Sequence, residues 1–235
     1  MNPTILRLST QALFGRRRGV LLLVIPALLV VLAVVVRLVA GAGSGYDAVI
    51  GLGFTLALPI VALLAASAVL GPEIDDGSIV YLLAKPVSRH AVALSKYAAA
   101  WVATISLGAV PLLVCGLVLD GSDPRRALAW TIGAALAGTA YTALFLGLAA
   151  LTRHAVVIGL VFALLWEGLL GQVLSGVKWV AIGPWGEAVA AAVSPRVDGS
   201  GIGAGYALVA AAVVTAATLW FAGDRLRSFT LRGDE

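Results

Sequence analysis

Six long apolar runs constrain the fold of this chain more than any other feature of its sequence. A helix needs about 20 residues to cross the roughly 30 Å hydrocarbon core of a bilayer, and each run is close to that length. The runs are continuously apolar rather than alternating, which favours helices over a membrane β-barrel. The sequence therefore predicts an all-α integral membrane protein, a single transmembrane domain over residues 1–235. Its predicted spans are residues 20–40, 48–70, 97–119, 127–151, 155–174 and 205–222.

The overall composition excludes several other classes of protein. The chain is 61% hydrophobic and only 12% charged, whereas a soluble domain has about 45–50% apolar and about 25% charged residues. An ordinary cytosolic protein and a disordered chain are therefore excluded. The single cysteine, Cys115, cannot form an intrachain disulfide. With two histidines beside it, the chain has too few ligands for the usual Cys/His zinc site.

The distribution of Lys and Arg predicts the orientation in the membrane, because cytoplasmic flanks carry the excess of positive charge. With six spans and a cytoplasmic N-terminus, 11 basic residues lie inside and 5 outside, so both termini are expected to be cytoplasmic. The positive charge also predicts contact with anionic lipids, and not with nucleic acid, since no compact basic domain is present. The inside set is Arg7, Arg16, Arg17, Arg18, Lys85, Arg89, Lys96, Arg153, Arg225, Arg227 and Arg232. The outside set is Arg37, Arg125, Arg126, Lys178 and Arg196.

The N-terminal segment suggests two further features. Residues 3–14 place Ile5 and Leu8 on one side of a short helix and Arg7 on the other, which favours an interfacial helix on the inner leaflet over a solvated tail. Arg16 to Arg18 followed by an apolar run resembles a signal peptide, but the 17-residue run 20–36 exceeds the usual length of about 7–15 residues. We expect a retained first span.

The loop over residues 71–96, between the second and third runs, carries the most informative pattern. Gly71-Pro72 is expected to end the second span, because proline cannot continue the backbone hydrogen bonds. The acidic residues that follow suit the first turn of a short helix, and Lys85 and Pro86 suit its end. Two interpretations stay open: a helix that docks in a groove of a soluble partner, or a connector on the lipid headgroups. The acids are Glu73, Asp75 and Asp76, and the apolar stripe is Ile79, Val80, Leu82 and Leu83.

The order of residues in this loop resembles the signature of ABC export permeases of the ABC-2 type. That pattern runs as Glu, Gly-Thr-hydrophobic, Leu-Leu, Pro-Val-Ser-Arg and Lys, and here Ser78 replaces the commoner Thr. The resemblance implies that the loop is a coupling helix that contacts a cytoplasmic ATPase. The residues it assigns to this contact are Glu73, Asp75, Asp76, Gly77, Leu82, Leu83, Pro86, Arg89 and Lys96.

The same resemblance implies a function and partners. The chain would be the permease subunit of an exporter in the bacterial plasma membrane, paired with a second permease copy or homologue and with two cytoplasmic ABC ATPase subunits. ATP and Mg²⁺ would bind the ATPase, leaving this chain without a cofactor or catalytic role; it contains no G-x-x-x-x-G-K-[ST] phosphate loop. The exported substrate is not specified. The alternatives are a secondary transporter, an intramembrane enzyme and a non-transporting anchor or sensor subunit.

The family resemblance also implies a short re-entrant or surface helix on the outer side, for which residues 175–203 have the right length. Trp179 and Trp185 suit a membrane–water interface, Pro184 suits a first helical position, and Ser194-Pro195 suits a helix end. An irregular outer loop is the alternative. Trp179 and Trp185 are candidate gate residues.

Inside the fourth run, small residues recur at a spacing of four, at Gly133 and Ala137 and at Ala134 and Gly138. This spacing allows helices to approach closely. Thr131 and Thr142 share a face of the same run and are candidates to line a pathway, although packing is the favoured role.

Glu167 is the only acid well inside a predicted span, which makes it a candidate functional residue, because a charged group in the membrane is costly. It could line the pathway, accept hydrogen bonds from groups such as Thr139 and Tyr141, or reach the outer interface near Lys178. In the second and third spans, Pro59 and Pro111 predict kinks.

Overall fold

The computed structural model describes residues 17–75, 89–152, 154–170 and 176–228. Every regular element in these ranges is helical, as the sequence predicts. The predicted interfacial helix at residues 3–14 and residues 76–88 of the coupling loop lie outside the described residues.

Seven helices, α1 to α7, follow one another along the described ranges, and three of them contain a π-helical segment. Helix α1 is Arg17–Ala40, α4 is Pro124–Leu151, α6 is Ile182–Val193 and α7 is Ala204–Ser228. Helix α2 joins Tyr46–Leu52, the π-helical Gly53–Ala57 and Leu58–Asp75. Helix α3 joins Arg89–Thr104, the π-helical Ile105–Ala109 and Val110–Leu119. Helix α5 joins Ala155–Val161 and the π-helical Phe162–Leu170, and a 3₁₀ turn, Val177–Trp179, precedes α6.

Five of these helices are long and apolar enough to cross a membrane, which confirms a multi-span protein. They are Val20–Ala40, Tyr46–Leu70, Arg89–Leu119, Pro124–Leu151 and Ala204–Arg225. Each overlaps a predicted span. The remaining predicted span, residues 155–174, contains the shorter apolar helix Ala155–Glu167. The count of six spans therefore stays a prediction.

The second candidate span ends at Leu70, as predicted, but the helix itself does not stop at Gly71-Pro72, because α2 continues through Pro72 to Asp75. A proline removes its own N–H bond and crowds the carbonyl four residues earlier, but the turns on either side can persist when packing supports them. The ammonium of Lys96 lies at this turn and donates a hydrogen bond to the carbonyl of Val69 at 2.9 Å. Glu73 and Asp75 consequently belong to α2.

The prolines of α2 and α3 are accommodated by a change of helical register. A proline ring clashes with the carbonyl four residues earlier, which is Thr55 for Pro59 and Leu107 for Pro111. Thr55 lies in the π-helical segment Gly53–Ala57, and Leu107 lies in Ile105–Ala109. A π-helical turn widens the hydrogen-bonding pattern to five residues and gives the clashing carbonyl room.

Helix α4 is the centre of the bundle, packed mainly against α2, α6 and α7. Its small residues make this possible: Gly133 lies so close to Gly186 of α6 that a Cβ atom on Gly186 would meet the carbonyl oxygen of Gly133 at 2.7 Å. The predicted close approach at the small residues is thereby confirmed, and α6 is one partner. Gly138 faces Thr104 of α3 and Leu58 of α2.

The outer faces of α1, α5 and α7 are apolar and exposed. The exposed fractions reach 83% at Val39 and 71% at Trp220. A continuous apolar surface of this kind is typical of a membrane-embedded protein, whose exterior meets lipid tails.

The loops cluster at two opposite ends of the bundle. The polar end is defined by residues 41–47, 120–126 and 176–203, where the Gly43 amide donates to the Leu119 carbonyl at 2.9 Å. The motif end is defined by residues 69–75, 89–96 and 222–225. There, Leu70, Ala93, Ala150 and Ala222 from four different helices line one small void.

Candidate functional site

A polar cavity of about 170 Å³ lies next to the first turn of α6 at the polar end. Helices α2, α4, α5 and α6 all contribute to its wall, so it lies where the central helix meets the outer segment. Two carboxyl groups, one ammonium and three hydroxyls face it. Its lining residues are Thr55, Tyr141, Glu167, Lys178, Gly183, Pro184, Glu187 and Ser200.

Glu167 joins α5 to the start of α6. One carboxyl oxygen accepts a hydrogen bond from the Ile182 amide at 2.7 Å, and the other accepts one from the Gly183 amide at 2.9 Å. The Tyr141 side chain of α4 lines the same cavity. The first amides of a helix have no partner within it and carry partial positive charge. Ala181, at the N-cap, supplies no side-chain hydrogen bond, so Glu167 caps α6 from another helix.

This geometry sharpens the three explanations that the sequence left open for Glu167. Tyr141 lines the same cavity as Glu167, and a hydrogen bond between the two stays a prediction. Thr139 belongs to a different group, because its Oγ1 accepts a bond from Trp101 at 2.9 Å. Lys178 lines the same cavity as Glu167. The main partners are backbone amides, which leave no signal in a sequence pattern, and sequence reasoning missed them for that reason.

The two tryptophans of the outer segment differ in environment. Trp179 is 44% exposed and packs edge-on against Tyr206 of α7, with ring centres 5.1 Å apart. Trp185 is only 3% exposed, and its indole N–H donates to the Trp179 carbonyl at 3.0 Å. Trp185 therefore packs inside the protein, and the interfacial position predicted for it stays a prediction. Pro184 is the third residue of α6 rather than the first, and Ser194 ends the helix as expected.

The far end of α6 is fastened to the beginning of α4. The Arg125 guanidinium donates to the carbonyl of Val193 at 2.9 Å. Just beyond the helix, Arg196 forms an ion pair with Asp123 at 2.7 Å. Asp123 also accepts a hydrogen bond from the Arg126 amide and so caps α4. Helix α6 is thus tied to α4 at its end and to α5 at its start.

The polar end holds a second ion pair, between Arg126 and Asp47 at 2.5 Å. In the neighbouring loop the Ser122 hydroxyl donates to Asp120 and holds the pKa of that exposed carboxyl below its usual value. Among residues 17–75, 89–152, 154–170 and 176–228, no group of acids, histidines and cysteines could hold a metal ion.

The candidate pathway residues Thr131 and Thr142 do not line the cavity at Glu167. Thr142 is fully buried, with its Oγ1 2.9 Å from Thr104 Oγ1 of α3 and 2.7 Å from the Gly138 carbonyl. Thr131 donates to the Ala127 carbonyl of its own helix at 2.8 Å. These bonds support the packing role favoured by the sequence, and a pathway role for either residue stays a prediction.

The predicted coupling residues are only partly described. Glu73 and Asp75 end α2, and Arg89 begins α3. Lys96 is 1% exposed and lies between α3 and α2, so it is not on a surface that a soluble partner could reach. A role for Lys96 in coupling would be to position α2 against α3. The other predicted residues, Asp76, Gly77, Leu82, Leu83 and Pro86, lie outside the described residues.

The comparison with known proteins agrees with this architecture. The family described as ABC-2 family transporter protein matches residues 14–170, two thirds of the chain. The match includes α1 to α5, the coupling loop and Glu167. No curated protein matches the chain. Because the family match covers well over half of its residues, the chain belongs to the ABC-2 transporter family, whose members are membrane components of ABC transporters.

Proposed function

We propose that the chain is the permease subunit of an ATP-driven ABC exporter in the bacterial plasma membrane. It would form the translocation pathway as a dimer with a second copy or a homologue. Two cytoplasmic ATPase subunits would bind and hydrolyse ATP with Mg²⁺. The observation that carries this proposal is the family match, which spans the coupling loop in an all-helical membrane protein.

The contacts at the two ends support six spans with both termini cytoplasmic. Helix α1 leads into the polar end at Gly43, and α7 reaches the motif end at Ala222. Between them α2, α3 and α4 alternate in direction. An even number of crossings follows if α5, with the residues after it, completes the fifth crossing. The motif end carries the larger basic set and would face the cytoplasm.

The size of the cavity supports a dimeric pathway. Sites for drug-sized ligands are typically about 300–1,000 Å³, whereas the cavity at Glu167 holds about 170 Å³. A single chain therefore offers too little enclosed space there for a large substrate. A pathway between two copies would supply more. The substrate itself stays unspecified.

The environment of Glu167 weakens the alternative of a secondary transporter. Such a transporter needs a site that binds and releases its coupling ion. Both carboxyl oxygens of Glu167 already accept backbone hydrogen bonds. Glu167 is therefore engaged in holding helix α6.

The test is to purify the tagged full-length chain from its native membrane and measure the ATPase activity that copurifies. We expect Glu73→Ala and Arg89→Ala to reduce it about tenfold to a hundredfold, because loss of one charge-assisted contact weakens binding by that factor. Arg196→Ala is the matched control, since Arg196 belongs to the polar end. Equal activity in all three variants would reject the coupling assignment. Hydrolysis without substrate export in vesicles would instead identify a sensor or anchor.

A further inference from the structure

Helix α6 packs as part of a body formed with α4 and α7. The close approach of Gly186 to Gly133 fixes its middle on α4, and Arg125 fixes its end at Val193. On the other side, the Tyr206 hydroxyl of α7 donates to the Trp179 carbonyl at 2.9 Å. The contacts to α4 and, through the turn that precedes α6, to α7 are independent of the bonds that Glu167 of α5 makes.

Helix α5 is joined to that body in a different way. Its last described turns, Phe162–Leu170, are π-helical, and many of its apolar side chains are exposed, with Val157 at 62% and Leu165 at 52%. In the described residues, the polar tie from α5 to α6 is the pair of bonds from Glu167 to the Ile182 and Gly183 amides. A movement of α5 away from α6 must break these two bonds and little else that is polar.

We propose that Glu167 is a positioning residue that acts as a latch between α5 and the α4–α6–α7 body. With the latch closed, α5 covers the cavity beside the first turn of α6. With the latch broken, the outer half of α5 moves and the cavity opens, while α6 stays packed on α4. Calling this movement a gate rests on the proposed transport function; the latch itself does not.

The geometry explains why a carboxyl group stands at this position. Two oxygens of one side chain match two adjacent amides of a helix start. An amide side chain of the same size has one acceptor oxygen and would turn its NH₂ group towards one of the two donors. A closed latch therefore needs Glu167, and Gln is the smallest change that opens it.

The experiment is hydrogen–deuterium exchange on the purified full-length chain in nanodiscs, without substrate or ATPase. We compare the wild type with Glu167→Gln, Glu167→Leu and the control Glu187→Gln. Glu187 lines the same cavity from α6, and among the described residues none donates a hydrogen bond to it. In both Glu167 variants we expect the Ile182 and Gly183 amides to exchange about tenfold faster or more. Exchange should also rise over Phe162–Leu170, and the later amides of α6 should not change.

Each other result would overturn the proposal. Unchanged exchange at Ile182 and Gly183 in Glu167→Gln means that no latch exists. Faster exchange along the whole of α6 means that Glu167 supports the fold of that helix instead of releasing α5. The same increase in Glu187→Gln means that removing either carboxylate from the cavity speeds exchange, so the two bonds of Glu167 are not the specific cause. If Glu167→Leu fails to fold, Glu167→Gln decides, because it keeps the side-chain volume.

A second measurement tests directly whether the cavity opens. In a Cys115→Ala background, Ser200→Cys places a thiol on the cavity wall. We expect its reaction with a maleimide to be about tenfold faster with Glu167→Gln than with Glu187→Gln. Equal rates would show that α5 does not uncover the cavity. Neither measurement involves transport, so a failed latch and a failed assignment of permease function give different results.

Discussion

The two ends of the helical bundle differ in what holds them together. At the polar end, three loops are joined by ion pairs and charged hydrogen bonds, including Arg126 with Asp47 and Arg196 with Asp123. At the motif end, apolar side chains from four helices meet at a small void, and Lys96 is buried among them. The polar end is fastened by contacts that water can reach, whereas the described void at the motif end is surrounded by apolar side chains and one buried ammonium.

The two ends also differ in how far the sequence alone identifies them. The motif end carries the residue order that resembles the ABC-2 signature, which is a pattern of identities along the chain. The polar end has no comparable motif, yet the structure assembles a cavity and a helix cap around Glu167 there. A candidate site can thus be recognised from the sequence at one end of a molecule and only from the structure at the other.

The largest expected effect is all-or-none and tests which end faces the cytoplasm. In a Cys115→Ala background, Ser122→Cys and Ser200→Cys at the polar end should react with a membrane-impermeant thiol reagent in whole cells. Ser228→Cys should not, because positive charges favour the cytoplasmic side. Permeabilised cells provide the control that Ser228→Cys is reactive at all. Labelling of Ser228→Cys but not Ser122→Cys in intact cells would reverse the assigned orientation.

The next effect compares a charged hydrogen bond at each end. Lys96→Met removes a buried ammonium that donates to the Val69 carbonyl, and we expect a loss of about 1.5–3 kcal/mol in the free energy of unfolding. Arg125→Met removes the exposed donor to the Val193 carbonyl and should cost less than about 1 kcal/mol, because water can replace it. Denaturation in detergent measures both. Equal losses of stability in the two variants would mean that burial of the hydrogen bond makes no difference to its contribution.

Glycine substitutions give a third test, in which the sign of the effect matters. A Cβ on Gly186 would lie 2.6 Å from the Phe54 ring and 2.7 Å from the Gly133 carbonyl oxygen. Gly186→Ala should therefore destabilise the protein by about 1–3 kcal/mol. Gly51→Ala in α2 has no atom within 4 Å of the new Cβ and should stabilise it by about 0.5–1 kcal/mol, because alanine favours a helix. Thermal unfolding followed by size-exclusion chromatography separates the two. A stabilising Gly186→Ala would contradict the close packing of α6 on α4.

The membrane spans were predictable because an apolar run of about 20 residues is seldom anything other than a membrane-spanning helix. Their ends were less so: α3 begins at Arg89, eight residues before the predicted span at residue 97. A helix continues past the apolar run wherever packing permits, as α2 does through Pro72. Neither extension has a local signature, because each depends on a neighbouring helix.

The candidate site was predictable only in its parts. The cost of an acid in the membrane pointed to Glu167, and the small residues of α4 pointed to close packing. The partners of Glu167 and of the small residues could not be predicted. Glu167 binds the backbone amides of Ile182 and Gly183, and α4 packs against Gly186, which has no side chain. The burial of Trp185 was not predictable either, because an indole suits an interface and a core alike.

The smallest expected effect separates two contributions of one carboxylate at the polar end. Asp123 caps α4 by accepting a bond from the Arg126 amide at 3.2 Å, and it also pairs with Arg196 at 2.7 Å. Arg196 is 67% exposed, so the pair should contribute only about 0.2–1 kcal/mol. An N-cap contributes about 1 kcal/mol.

We expect Arg196→Ala and Asp123→Ser each to cost a few tenths of a kcal/mol, since serine keeps a capping oxygen. Asp123→Ala should cost about 1–2 kcal/mol because it loses both. Repeating the unfolding at high salt should reduce the cost of Arg196→Ala and leave the difference between Asp123→Ala and Asp123→Ser, because salt screens an exposed pair but not a neutral cap. If Asp123→Ser instead costs as much as Asp123→Ala, the ion pair and not the cap fastens this end, and the polar end would owe its stability to charge.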